Sequence, residues 1–90
     1  MRFEWDPEKS AKTKAARGIG FDEAQAVFLD PYAISRFDYD HSEVEDRYIL
    51  IGRIRSKIFA VVYTDRGHDV RRIISVRKAT RNEAKTYFEQ

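Results

Sequence analysis

The chain has 90 residues, of which 42% are apolar and 36% charged, with six Phe, five Tyr and one Trp. That suffices for one domain spanning 1–90 with a modest core, and it excludes a disordered chain. There is no cysteine, no apolar run long enough to cross a membrane and no N-terminal segment like a signal peptide, so disulfides and thiolate metal sites are excluded and a soluble, cytoplasmic protein with no membrane partner is expected.

Phe3-Glu4-Trp5 reads as a short strand or extended aromatic anchor. Asp6-Pro7 then starts a helix, with Asp6 as N-cap, Pro7 in the first position and Gly18 as the left-handed stop after Arg17. Its apolar face is made of small residues only, Ala11, Ala15 and Ala16, and is expected to lie close against a neighbour. A second helix is expected over Asp22 to Leu29, because Phe21, Ala24, Val27 and Phe28 form one buried stripe. Asp30-Pro31 ends it. Ala33 to Asp38 reads as a strand, followed by a solvated acidic loop, Asp38 to Asp46.

Three strands follow, Tyr48 to Arg53, Lys57 to Tyr63 and Val70 to Arg77, joined by turns at Arg55-Ser56 and around Gly67. Thr80 caps a last helix with Glu83 in capping-box spacing, and Ala84, Tyr87 and Phe88 form its packing face. The element order predicts an α+β domain with two N-terminal helices packed on a curved antiparallel sheet and a C-terminal helix.

Charge is divided unevenly. Residues 1–46 hold 6 Lys/Arg against 11 Asp/Glu, whereas residues 47–90 hold 11 against 4, for a net charge of +2. Such a split points to polyanion binding or to an acidic half folded onto a basic one. The last strand concentrates the question. Strict alternation puts Val70, Arg72, Ile74 and Val76 on one face and Arg71, Ile73, Ser75 and Arg77 on the other. Guanidinium groups among branched apolar residues need anionic partners, either the chain's own carboxylates or a phosphate-bearing ligand. With Lys78 and Arg81 just beyond, and Arg53, Arg55 and Lys57 on the preceding hairpin, the arginines form a cationic patch. Tyr48 and Tyr63 offer stacking surfaces or phenolic protons beside it, a combination suited to RNA.

Other chemistries find little support. Asp38, Asp40 and Ser42 alternate like the start of an EF-hand loop, but Glu43 stands where glycine is required and Ile49 where the bidentate glutamate belongs. His41 and His68 lie in separate loops and are expected on the surface, with no spacing suited to zinc. Neither a serine-hydrolase order nor a glycine-rich phosphate loop is present. No metal or other cofactor is expected.

Taken together, the motifs resemble the BrnT toxin family of bacterial type II toxin–antitoxin systems. The matching pieces are Phe3-Glu4-Trp5-Asp6 with Lys9, Gly18-Ile19, Phe21, Glu23, Ala24, Val27, Phe28 and Asp30-Pro31, then Asp40-His41-Ser42, Glu45 and Arg47 before Ile51-Gly52, Val61-Val62-Tyr63-Thr64 with Arg66-Gly67, and Arg72-Ile73-Ile74-Ser75-Val76-Arg77-Lys78-Ala79. The resemblance implies a RelE-like fold and an RNA-cleaving activity that arrests translation. It also implies a BrnA-like, DNA-binding antitoxin as partner, through which alone the toxin would reach operator DNA. Metal-independent attack of the RNA 2′-hydroxyl on its own phosphate needs a base, an acid and cations. The residues expected at that chemistry are Arg72 and Arg77 as phosphate clamps, Tyr63 as proton donor or stacking group, and Glu45 as a site member or as a salt-bridge partner orienting an arginine. Lys78, Arg66, Arg47, Arg53, Arg17 and Arg81 are expected to contact RNA. Where the family commonly carries Lys-His before the first helix's terminal glycine, this chain has Ala16-Arg17. An inactive or weakened module that only binds antitoxin or nucleic acid is therefore the alternative reading.

Overall fold

The computed structural model describes residues 1–90. Five strands, β1 (Arg2–Glu4), β2 (Ile34–Phe37), β3 (Tyr48–Ile54), β4 (Lys57–Arg66) and β5 (Val70–Lys78), form one sheet in the order β1-β5-β4-β3-β2. Three helices accompany them: α1 (Pro7–Arg17), α2 (Phe21–Ala24, continued by a 3₁₀ segment, Gln25–Leu29) and α3 (Arg81–Phe88). The α+β class is as expected, but the sheet is mixed. β1 runs parallel to β5, pairing Arg2 with Val70 and Glu4 with Arg72. Three residues of strand pattern carry no information about which partner they meet, so a parallel edge strand was invisible beside the antiparallel meander.

The start of α1 follows its sequence signals, with Asp6 accepting a hydrogen bond from the Glu8 N–H at 2.9 Å and Gly18 at φ 78°. Its alanines do not pack as expected: Ala11, Ala15 and Ala16 are exposed and no residue of α1 is buried. The helix lies against α2 and β5, and it turns Ser10 and Thr13 inward, where the Ser10 hydroxyl accepts the Phe21 N–H at 2.8 Å. The second helix also differs, since after one α-turn it tightens to 3₁₀ geometry. That tightening still buries Phe21, Ala24 and Val27 in one stripe and half-buries Phe28.

Apolar burial is divided between the two faces of the sheet. On one, Phe21, Ala24 and Val27 meet Leu50, Val61, Tyr63, Ile73 and Val76. On the other, Ile49, Ile51 and Ala60 pack under Tyr87 of α3, while Phe88 stays 61% exposed instead of joining that contact. Helix α3 covers only one end of this second face. The remainder lies open, and there the site is built.

A bulge in the β4–β5 ladder corrects the strict alternation expected along β5. Val62 pairs with Ser75 and Tyr63 with Ile73, which leaves Ile74 unpaired. Ile73 and Val76 therefore share the helix-covered core, and Ile74, Ser75 and Arg77 turn together to the open face.

Two backbone positions carry tight constraints. At Gly52 an added Cβ would lie 2.8 Å from Val27 Cγ1 and 3.2 Å from both Ala33 Cβ and Asp30 Oδ2. Gly52→Ala is expected to destabilise the fold by about 1–3 kcal/mol through overpacking, read as a lower urea midpoint at unchanged slope. At the tip of the β3–β4 hairpin Arg55 sits at φ 57°, a left-handed conformation that costs a side-chain-bearing residue roughly 1–2 kcal/mol.

Candidate active site

A pocket of about 460 Å³ opens on the uncovered sheet face, lined by cations from four directions: Lys9 of α1, Arg36 of β2, Arg47 before β3 and Arg77 of β5. Glu83 organises two of them. Its carboxylate accepts both terminal nitrogens of Arg77 at 2.7 and 3.0 Å and a nitrogen of Arg36 at 3.0 Å. It also accepts the Thr80 N–H at 2.8 Å, while the Glu83 N–H bonds the Thr80 hydroxyl at 3.1 Å. The capping box of α3 thus doubles as the mount for the two arginines. Hydrogen bonding to Arg77, opposed by burial and aided by Thr80 and Arg36, lowers the Glu83 carboxyl to about 2. The same bond raises Arg77 above its ordinary value. A guanidinium has five donors, so a carboxylate that fixes its plane still leaves N–H groups for a second anion.

Across the pocket stands a histidine held by a buried acid. Asp38 is 6% exposed, and its two oxygens lie 3.2 and 3.1 Å from His41 Nδ1. The 3₁₀ turn Tyr39–His41 that connects them is pinned from below. The Ser42 hydroxyl donates to the Asp38 carbonyl at 2.6 Å and accepts the Arg47 N–H at 3.0 Å, and the Asp38 N–H bonds the Arg47 carbonyl at 2.8 Å. His41 lines the pocket, and its Nε2 makes no hydrogen bond within the chain. Arg47 adds a Nε–H that is buried without a partner in the chain, an uncommon condition for a buried donor.

The profile of the family described as "Ribonuclease toxin, BrnT, of type II toxin-antitoxin system" matches residues 5–83. The chain belongs to the BrnT family. Among solved structures, the crystal structure of the Brucella abortus ribonuclease toxin BrnT matches with a TM-score of 0.67 at 25% identity, covering 90% of this chain and 99% of that one. No curated protein sequence matches significantly. Membership carries the family's role with it, a ribonuclease toxin whose system includes an antitoxin. No helix is long and apolar enough to cross a membrane.

Of the residues expected to form the BrnT site, the structure brings together Arg77 and Arg47 in the pocket. Arg72 lies further along β5, paired with Glu4 of β1 at 2.6 Å. Glu45 lies 3.4 Å from an Arg47 nitrogen and 3.8 Å from one of Arg66, outside the residues that line the pocket. Tyr63 is not with them. It is buried on the helix-covered face, stacked on Tyr48 and overlaid by Arg71 at 4.7 Å, with its hydroxyl 3.2 Å from Ser35. The even register of β4 forces this, since Val62, its neighbour, is the residue lining the pocket. Arg17, Lys78 and Arg53 lie towards the other side of β5, and Arg81 is exposed at the start of α3.

Asp38, His41, Arg36 and Lys9 were not among the expected site residues. Sequence alone suggests an ordinary surface histidine at His41 in a solvated acidic loop. Asp38 three residues before His41, followed by Ser42, was the available signal. A carboxylate at that spacing reaches an imidazole when the intervening chain makes one helical turn.

Proposed function

We propose that this chain is an endoribonuclease toxin that cleaves RNA by metal-independent phosphoryl transfer at the Arg77–His41 pocket. The observation that carries the reading is the Asp38-anchored imidazole facing carboxylate-mounted guanidinium groups in one cleft. His41 Nε2 takes the proton of the attacking 2′-hydroxyl as the new bond from that oxygen to phosphorus forms. Arg77 and Arg36 offset the extra negative charge of the phosphorane, where preorganised donors act most strongly. The bond to the 5′-oxygen breaks, and the leaving oxygen takes a proton from the Lys9 ammonium. A 2′,3′-cyclic phosphate and a 5′-hydroxyl result. Asp38 holds the ring in the tautomer that leaves Nε2 unprotonated. Lys78, Arg66, Arg47, Arg53, Arg17 and Arg81 hold neighbouring phosphates, Arg72 lies outside the reacting centre, and Tyr63 supports it from within the core. The architecture fits a RelE-like toxin acting in the cytoplasm, where a BrnA-like antitoxin neutralises it and alone connects it to operator DNA.

The test is to incubate the purified protein with RNA in excess chelator, beside Arg77→Ala. Cleavage to cyclic-phosphate ends by the parent, reduced about 10²-fold or more in the variant, is expected. Intact RNA with the folded parent would overturn the reading in favour of a module that binds without cleaving.

A further inference from the structure

The cationic surface does not end at the pocket. Arg77 also borders a saddle over the edge of β5, together with Ala16, Arg17 and Lys78. Arg17 and Lys78 in turn border a groove of about 630 Å³ between the end of α1 and the β3–β4 hairpin, where Arg53, Arg55 and Lys57 join them. The saddle shares residues with each of the other two depressions, and the three make one track. Arg17 is fixed upon it, because its guanidinium donates to the Val76 carbonyl at 2.6 Å. Beyond β1, that side of β5 has no strand partner.

The groove holds five cations and a single carboxylate, Glu23. That carboxylate is already taken by the Lys14 ammonium and by the Gly20 N–H at 3.1 Å, so it leaves the five largely unneutralised. Ile54 and Phe59 supply an apolar floor between them. Arg55 adds an independent sign. It occupies the first of two turn residues in a positive-φ conformation, where glycine is the residue the turn favours. A strained arginine in place of a glycine points from the backbone outlier to a use for the side chain.

We infer that this groove is a second phosphate-binding site, which holds the single-stranded RNA that runs over the β5 edge from the proposed cleavage pocket. One covalent ligand that presents anions at regular spacing satisfies all three depressions, and bases have the apolar floor to pack on. The inference rests on the proposed ribonuclease reading and sets its substrate class: single-stranded RNA several nucleotides longer than the cleaved step.

Binding and cleavage separate the two. Anisotropy of a labelled 2′-O-methyl octanucleotide, which cannot be cleaved, is measured for the parent, Arg55→Gly and the double variant Arg55→Gly/Lys57→Ala, alongside cleavage of an unmodified dinucleotide. The double variant is expected to bind the octanucleotide about tenfold more weakly and to lose about 1.4 from its log–log salt slope, two contacts at roughly 0.7 each. Dinucleotide cleavage is expected to stay unchanged, and Arg55→Gly, which relieves the turn, keeps the comparison free of folding defects. Unchanged octanucleotide binding in the double variant overturns the groove and leaves the pocket standing. Weakened binding with no cleavage by the parent supports the groove and overturns the ribonuclease reading. Unchanged RNA binding with weakened capture of a co-expressed antitoxin would make the groove a protein-docking surface, and would overturn its assignment to RNA.

Discussion

Replacing His41 by alanine is expected to slow RNA cleavage by about 10²–10⁴-fold, the contribution of one positioned acid–base group. The loss should fall on kcat, since the imidazole acts on the reacting proton and not on the phosphate's charge. Folding should be little affected, because the side chain is 68% exposed and its only polar contact is to Asp38. The charged groups facing the ring are Asp38 and Asp40 from its own turn, Arg36, Arg47 and Arg77 from the sheet, and Lys9 from α1. Of these six groups only the two aspartates could accept a proton in its place, and Asp38 is already bonded to the ring. Asp38→Asn should keep the histidine but lose its tautomer preference, lowering kcat less than His41→Ala does. Cleavage by His41→Ala within about threefold of the parent would exclude it from the chemistry.

That residue is also where reading the sequence and seeing the fold part company. Local signals worked where the cause was local. Asp6-Pro7 and Thr80 with Glu83 are caps whose partners lie within three residues, and both form as their spacing requires. The three long strands and the Arg55-Ser56 turn are equally local, set by apolar runs and a short break. What failed depended on distant partners. The short strand expected near Phe3 forms, but its parallel pairing is set by the edge that β5 offers, and the alanines of α1 stay exposed because nothing packs over them.

The site follows the same division. A cationic last strand is legible as an unsolved charge, and the chain's own carboxylates supply one part of the answer. Arg71, Arg72 and Arg77 are each paired internally, with Asp65, Glu4 and Glu83, which accounts for the acidic partners the strand required. Lys78, Arg53, Arg55 and Lys57 have no such partner and face solvent. Which face Arg77 takes depends on the bulge at Ile74, because one extra residue moves everything beyond it to the opposite face. Tyr63 was misplaced for a related reason: its chemistry suited the site, but its parity along β4 did not.

Glu83 carries the second large effect, this time on the fold. Its carboxyl is 10% exposed and accepts Arg77, Arg36 and the Thr80 N–H together. Removing it by Glu83→Ala leaves two guanidinium groups without a counter-charge and takes the acceptor of the Thr80 N–H out of the capping box. A folded-state value of about 2 against the ordinary 4.5 means that the ionised carboxylate is favoured by folding. After allowance for solvent reaching the arginines, that linkage is on the order of 2–3 kcal/mol. The sign is fixed by the depression: the stabilisation is fully present above pH 4.5 and is lost as pH falls towards about 2. Glu83→Ala should therefore lower the melting temperature at neutral pH by on the order of 10–20 °C. Glu83→Gln, which retains the cap geometry but not the charge, should fall less. Below pH 3 the parent's advantage over Glu83→Gln should shrink towards zero, since the parent's carboxyl is then losing its charge as well. A difference between parent and Glu83→Gln that stays constant from neutral pH down to acid would show that packing around Glu83, and not its charge, holds the arginine mount together.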